Sequence, residues 1–162
     1  MANQMSVLGA FYTGWETYQG YLEAAVAPLS EAQLALSAGP GVRPVGSLVA
    51  HIVGARARWL HDAIGEGGPE LATLTAWGGP ADPPHSPTEL VAGLRTTWQA
   101  LRDALDRWTP VETGQPFQRE RHGETRTLTR QWIVWHLIEH DLHHGGEVSY
   151  ALSMHDLPGL DI

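Results

Sequence analysis

One stretch limits this chain more than any other: Trp132-Ile133-Val134-Trp135-His136-Leu137-Ile138-Glu139-His140-Asp141-Leu142-His143-His144-Gly145-Gly146-Glu147. It carries four of the nine histidines. His136, His140 and His144 recur every fourth residue. On an α-helix, residues at i and i+4 lie above one another on one face, so the three rings form a stripe. A histidine pair at that spacing can converge two imidazole nitrogens on one metal ion, as the HExxH helix does. The competing reading is a set of satisfied core histidines, each with its own polar partner. Trp132, Trp135, Leu142, Val148 and Leu152 flank the stripe with apolar side chains, which places this helix inside a fold.

Composition narrows the chemistry. A length of 162 residues suits one domain, taken as spanning 1–162. The formal net charge of −8, with no cluster of Lys and Arg, argues against a nucleic-acid-binding surface. There is no cysteine, so the chain supplies neither disulfides nor thiolate ligands. A metal would have to be held by histidine and carboxylate, and any sulfur chemistry would have to arrive with a substrate. The first six residues have no signal-peptide pattern, and no run of about 18 apolar residues predicts a membrane span. The expected location is the cytoplasm.

Read in order, the apolar spacing predicts four long helices. Leu8, Phe11, Trp15, Tyr18, Leu22 and Val26 mark the first, over about Val7–Ala27, ended by Pro28. Ser30–Leu34 is a candidate helical turn. Ser47 is a candidate N-cap for the second helix, about Leu48–Ile64, with Leu48, Ile52, Ala55, Trp59 and Ala63 inward. His51 lies near its start, and Arg58 projects from nearly the same face two turns later. Gly65–Pro87 reads as a long surface connection, with a short helical piece around Leu71, Leu74 and Trp77. Ser86-Pro87-Thr88-Glu89 opens the third helix, about Thr88–Arg107, with Leu90, Leu94, Trp98, Leu101 and Leu105 inward. Phe117–Thr127 is a hairpin around His122-Gly123 or an irregular loop, and the fourth helix runs over about Thr129–Leu152. The expected class is all-α, a four-helix bundle, an architecture that builds metal sites from facing helices. His51 is then a natural partner for the stripe.

The chain resembles the DinB-like (YfiT-type) family of metal-dependent enzymes. Three segments carry the likeness: Gly46–Ile52 with Arg58-Trp59-Leu60, His136–Glu147, and the closing Leu157-Pro158-Gly159-Leu160-Asp161. The resemblance implies a four-helix bundle with one metal-binding histidine on helix two and a His-x3-His pair on helix four. Carried onto this sequence these are His51, His140 and His144, the pair being fixed by the following glycine, Gly145. His136 is then a residue behind the ligands or in the core, and His143 one of packing, exposure or the pocket edge. Gly146 departs from many relatives, with Glu147 in the polar place. The family also implies a homodimer.

Three imidazoles leave a coordination position open, the arrangement of a catalytic rather than a closed structural site. Zinc or nickel suits an all-nitrogen set; iron or manganese is possible, and copper binds tightly by rank. Relatives include transferases and isomerases that use low-molecular-weight thiols. The resemblance therefore implies a metal-dependent thiol S-transferase of stress or detoxification chemistry acting on a small-molecule substrate, with no catalytic side chain assigned. The rival readings are a metal-dependent hydrolase, with Glu139, Asp141 or Glu147 as base or supporting partner, and a non-catalytic metal-binding protein.

Overall fold

The computed structural model describes residues 7–121 and 123–162. His122, the tip of the expected hairpin, lies outside them, as do the side chains of Leu8 and Phe11. The described chain is mostly helical with one small sheet. Helix α1 spans Val7–Val26, α2 Glu31–Leu34, α3 Val45–Ala57, α4 Pro69–Leu74, α5 Pro87–Arg107, α6 Pro110–Gly114 and α7 Arg130–Ser153. A π-helical turn, Arg58–Asp62, prolongs α3. Strands β1, Pro116–Arg121, and β2, Glu124–Thr129, pair antiparallel, with Phe117 opposite Leu128. Of the two expectations for Phe117–Thr127 the hairpin is the one formed, so the all-α class becomes a mostly helical chain with one small sheet. Four residues of β2, Thr125, Thr127, Leu128 and Thr129, are threonine or leucine, which suits a strand, and burial alternates along β1 as in a half-exposed ribbon.

The long helices form where the apolar spacing puts them. Ser86 caps α5 through a capping box with Glu89, and Ser30 does the same for α2 with Gln33. Helix α3 is the exception, starting at Val45 rather than after Ser47. Pro44 holds the extended N-cap geometry, and the Val45 amide donates to the Leu36 carbonyl at 2.8 Å. A loop carbonyl and a buried Val45 take over what a serine cap would supply.

Helix α3 packs against α7 and α5, α1 against α5, and the hairpin against α7. Trp15, Leu22, Val26, Leu48, Ile52, Leu60, Leu90, Leu94, Leu101, Ile133, Leu137 and Leu152 belong to one continuous core. The inward face of α7 is Ile133, Val134, Leu137, Asp141, Gly145, Val148 and Leu152. Trp132, Trp135 and Leu142, expected to bury the helix, are 38%, 60% and 48% exposed. They sit beside the inward face rather than on it. No helix among the described residues is long and apolar enough to cross a membrane.

Among the described residues two charged ones are fully buried in this core, Arg56 of α3 and Asp141 of α7. The Arg56 guanidinium donates to Asp141 from Nη2 at 2.7 Å and from Nε at 3.0 Å. Trp15 Nε1 donates to the same carboxylate at 2.7 Å, and Arg56 Nη1 donates to Gln19 at 2.7 Å. The network joins α1, α3 and α7 and satisfies charges that would otherwise be costly to bury.

Candidate metal centre

Adjacent residues of α7 separate two tasks. Asp141 points into the core, while His140, about 100° away around the helix, faces α3 from the other side. Across from it stands His51. The His51 and His140 Nε2 atoms are 3.2 Å apart. The His144 ring centre lies 4.7 Å from that of His51 and 4.4 Å from that of His140. One ring nitrogen of each falls within 4.8 Å of the others, and all three residues are half-buried. The stripe and the helix-two histidine therefore meet.

The donor set fits a metal ion. Zn–N bonds of about 2.0–2.1 Å hold two nitrogens of a tetrahedral set about 3.3–3.4 Å apart, close to the His51–His140 separation. Without an ion, two neutral rings facing through Nε2 can share only one proton, and their buried Nδ1 atoms make no well-formed hydrogen bond. Burial lowers the His140 pKa to about 3, helped by the neighbouring His144, His51 and His136 rings and by Arg56. Burial likewise lowers His51 to about 4, with Arg43, His144 and Arg58 adding to it and the Gly78 backbone partly opposing. Both rings are thus neutral at physiological pH, the form in which imidazole donates a lone pair.

Glu147 is the supporting carboxylate. Its Oε2 accepts from His144 Nδ1 at 2.6 Å, which leaves His144 Nε2 for an ion. Such carboxylate–histidine pairs fix the ring and raise its basicity. The other acidic candidates are engaged elsewhere. Asp141 is locked in the core by Arg56 and Trp15 and cannot serve as a base at this site, which corrects that expectation. Glu139 accepts from His136 Nδ1 at 3.0 Å. His136 continues the stripe outward: its ring stacks on Trp132 at 4.9 Å and stands 5.9 Å from His140. It lies beside the cluster, not behind it in the core. His143 is 67% exposed.

Loop contacts hold the site in ways the sequence did not announce. A Cβ on Gly54 would lie 1.9 Å from the Trp77 carbonyl oxygen, and one on Gly78, whose φ is +68°, would lie 2.4 Å from His51 Cα. The Gly65–Pro87 connection therefore lies directly on α3 at His51. Arg58 Nη1 donates to the Thr75 and Trp77 carbonyls at 2.7 and 2.9 Å, pinning that loop. Asp82 completes it by accepting from Gly78 N at 2.7 Å and from His85 Nε2 at 2.9 Å. The Gly78-Gly79 pair was the one legible sign of such a close approach.

Neither of two clefts in the molecule is lined by the three histidines. One, about 750 Å³, opens between α1, α5, α6 and α7 beside Trp15, Trp108 and Trp135. The other, about 370 Å³, begins at Ser47 and Ala50 and runs under Gly78 to His85.

Gly145 has a packing reason of its own. A Cβ there would come within 2.1 Å of the Tyr18 hydroxyl, which donates to the Leu142 carbonyl at 3.4 Å. Gly145→Ala should cost about 1–3 kcal/mol, and Tyr18→Phe in the same chain should recover part of that. Thermal unfolding of the two variants tests it; a Gly145→Ala protein melting at the wild-type temperature would contradict this packing.

The sequence matches the DinB family model over residues 1–154. The fold is similar to a DinB-like protein from Bacillus cereus ATCC 10987, with a TM-score of 0.73 and 19% identity over 98% of both chains. It is also similar to a conserved protein from Enterococcus faecalis, with a TM-score of 0.69 and 15% identity over 93% of this chain and 97% of that one. At these identities the likeness is one of fold. No functionally curated protein matches the chain.

Proposed function

Since the chain belongs to the DinB family, we propose that it is a metal-dependent transferase that joins a low-molecular-weight thiol to an electrophilic small molecule. The reading takes the four long helices as one bundle, His51, His140 and His144 as ligands, and zinc or nickel as the ion. The observation that carries it is the convergence of His51, His140 and His144 from two helices, in a chain that has no thiol of its own. Asp141, buried against Arg56 and Trp15, is not available as a base beside the cluster. A divalent ion held by the three rings would keep a ligated thiol ionised near neutral pH, below its ordinary pKa of ~8.5.

The chain's own groups have plain tasks in this scheme. The three rings would hold the ion, and Glu147 orients His144. Trp132 and His136, stacked with ring centres 4.9 Å apart, form an aromatic shelf against which an electrophile can lie, backed by the buried Trp59. The thiol loses its proton to buffer, its sulfur forms the new C–S bond, and the leaving group departs with the bonding pair.

The test loads the protein with zinc or nickel and offers bacillithiol, mycothiol, glutathione or cysteine with chlorodinitrobenzene. Conjugation is expected to exceed the metal-stripped control with at least one thiol. It should vanish in His51→Ala, His140→Ala and His144→Ala and persist in His61→Ala. Equal rates with and without metal for every thiol would refute the transferase. The same reading places the protein in the cytoplasm as a homodimer joined through the exposed α7 edge of Trp135, Leu142 and Tyr150. A monomer mass by light scattering across micromolar concentrations would count against the dimer.

A further inference from the structure

A second group of possible ligands shares a member with the first. His143, His144 and Glu147 also offer one donor atom each within 4.8 Å of one another. His143 Nε2 lies 3.6 Å from Glu147 Oε1, while Glu147 Oε2 holds His144 Nδ1 at 2.6 Å. The spacing on α7 explains the grouping. Residues 143 and 147 are one turn apart at i and i+4, and 144 and 147 are i and i+3, so the three side chains crowd one edge of the helix.

Their exposure is graded. The His143 side chain is 67% exposed, Glu147 40% and His144 16%. The three residues thus step from solvent down to the buried edge of the His51–His140–His144 cluster. The outermost pair, one imidazole and one carboxylate, suits a hydrated zinc, nickel or cobalt ion that has not shed most of its water. The innermost member, His144, belongs to both groups.

We propose that His143 and Glu147 form an entry site at which a divalent transition-metal ion is first captured and then handed through His144 to the inner cluster. The proposal rests on the inner cluster being a metal site. In the metal-free protein Glu147 holds the His144 ring. Capture of an ion by His143 and the Glu147 carboxylate brings it within one side chain of the ligand that both groups share. Exchange of water ligands for His144, His140 and His51 then completes the transfer. Glu147 returns to the His144 Nδ1 proton.

A relay of this kind changes rates and not the end state. Cobalt(II) loading, followed by visible absorption after mixing with metal-free protein, should slow several-fold in His143→Ala. Release to a chelator should slow by the same factor, leaving the equilibrium affinity unchanged. Equilibrium dialysis gives an independent reading: the His51→Ala/His140→Ala chain should still retain a weakly bound cobalt ion, and adding His143→Ala should abolish it. Wild-type loading rates in His143→Ala would overturn the relay, and so would absence of any cobalt on the double variant at millimolar metal. A wild-type protein that takes up no ion would instead remove the inner site itself, so the two failures are distinguishable.

Discussion

Replacing His140 or His144 by alanine is expected to remove the bound metal almost completely, from about one divalent ion per chain to near none, as a three-ligand site reduced to two loses its chelate. His51→Ala should do the same although it lies on a different helix, 89 positions away from His140. Glu147→Ala keeps all three donors and should weaken binding by about 10–100-fold, the usual effect of losing a partner that orients a ligand. His136→Ala should leave the metal content intact, because its Nδ1 is committed to Glu139 and its ring to Trp132. Elemental analysis after dialysis measures all of this. Unchanged metal in both His140→Ala and His144→Ala would sink the site.

The second large effect concerns stability. Asp141→Ala should destabilise the fold by about 3–5 kcal/mol, because it leaves the Arg56 guanidinium buried with its main counter-charge gone. The Trp15 indole N–H would lose its acceptor as well. For a chain of this length the loss corresponds to a fall in Tm on the order of 10 °C. Arg56→Met combined with Asp141→Leu should be far less harmful than the sum of the single changes, since no charge is then left unpaired. Thermal and urea unfolding of the three variants gives the coupling. Additive losses would show that the pair does not act as a unit. Zinc uptake by whatever fraction stays folded should be close to wild type, because Asp141 and His140 face different ways from neighbouring positions of α7.

Both results trace back to how one helix divides its faces, and only part of that was legible beforehand. The spacing of His140 and His144 determined by itself that the two rings share a face. Leu90, Leu94, Trp98 and Leu101 likewise marked the inward side of α5, because a 3.6-residue period needs nothing beyond local sequence. Ser86 with Glu89 announced a helix start for the same reason. The candidate ligand on α3 was legible through a family likeness, whereas its distance from His140 was not, since contact across 89 positions depends on how α3 and α7 cross.

Tertiary structure decided what local pattern leaves open. Trp135 and Leu142 are as apolar as Ile133 and Leu137, yet the first two are exposed and the second two fully buried. Hydrophobicity says that a residue gains from burial, and only the neighbouring helices say which of several apolar stripes is covered. Asp141 read as a possible base because carboxylates next to ligands often are; Arg56, 85 positions earlier, made it a core ion pair instead. Ser47 looked like a cap until the Leu36 carbonyl reached Val45. In each case a partner distant in sequence outweighed the local preference. A hydrogen bond or an ion pair in a dry interior is worth more than the fraction of a kcal/mol by which most propensities differ.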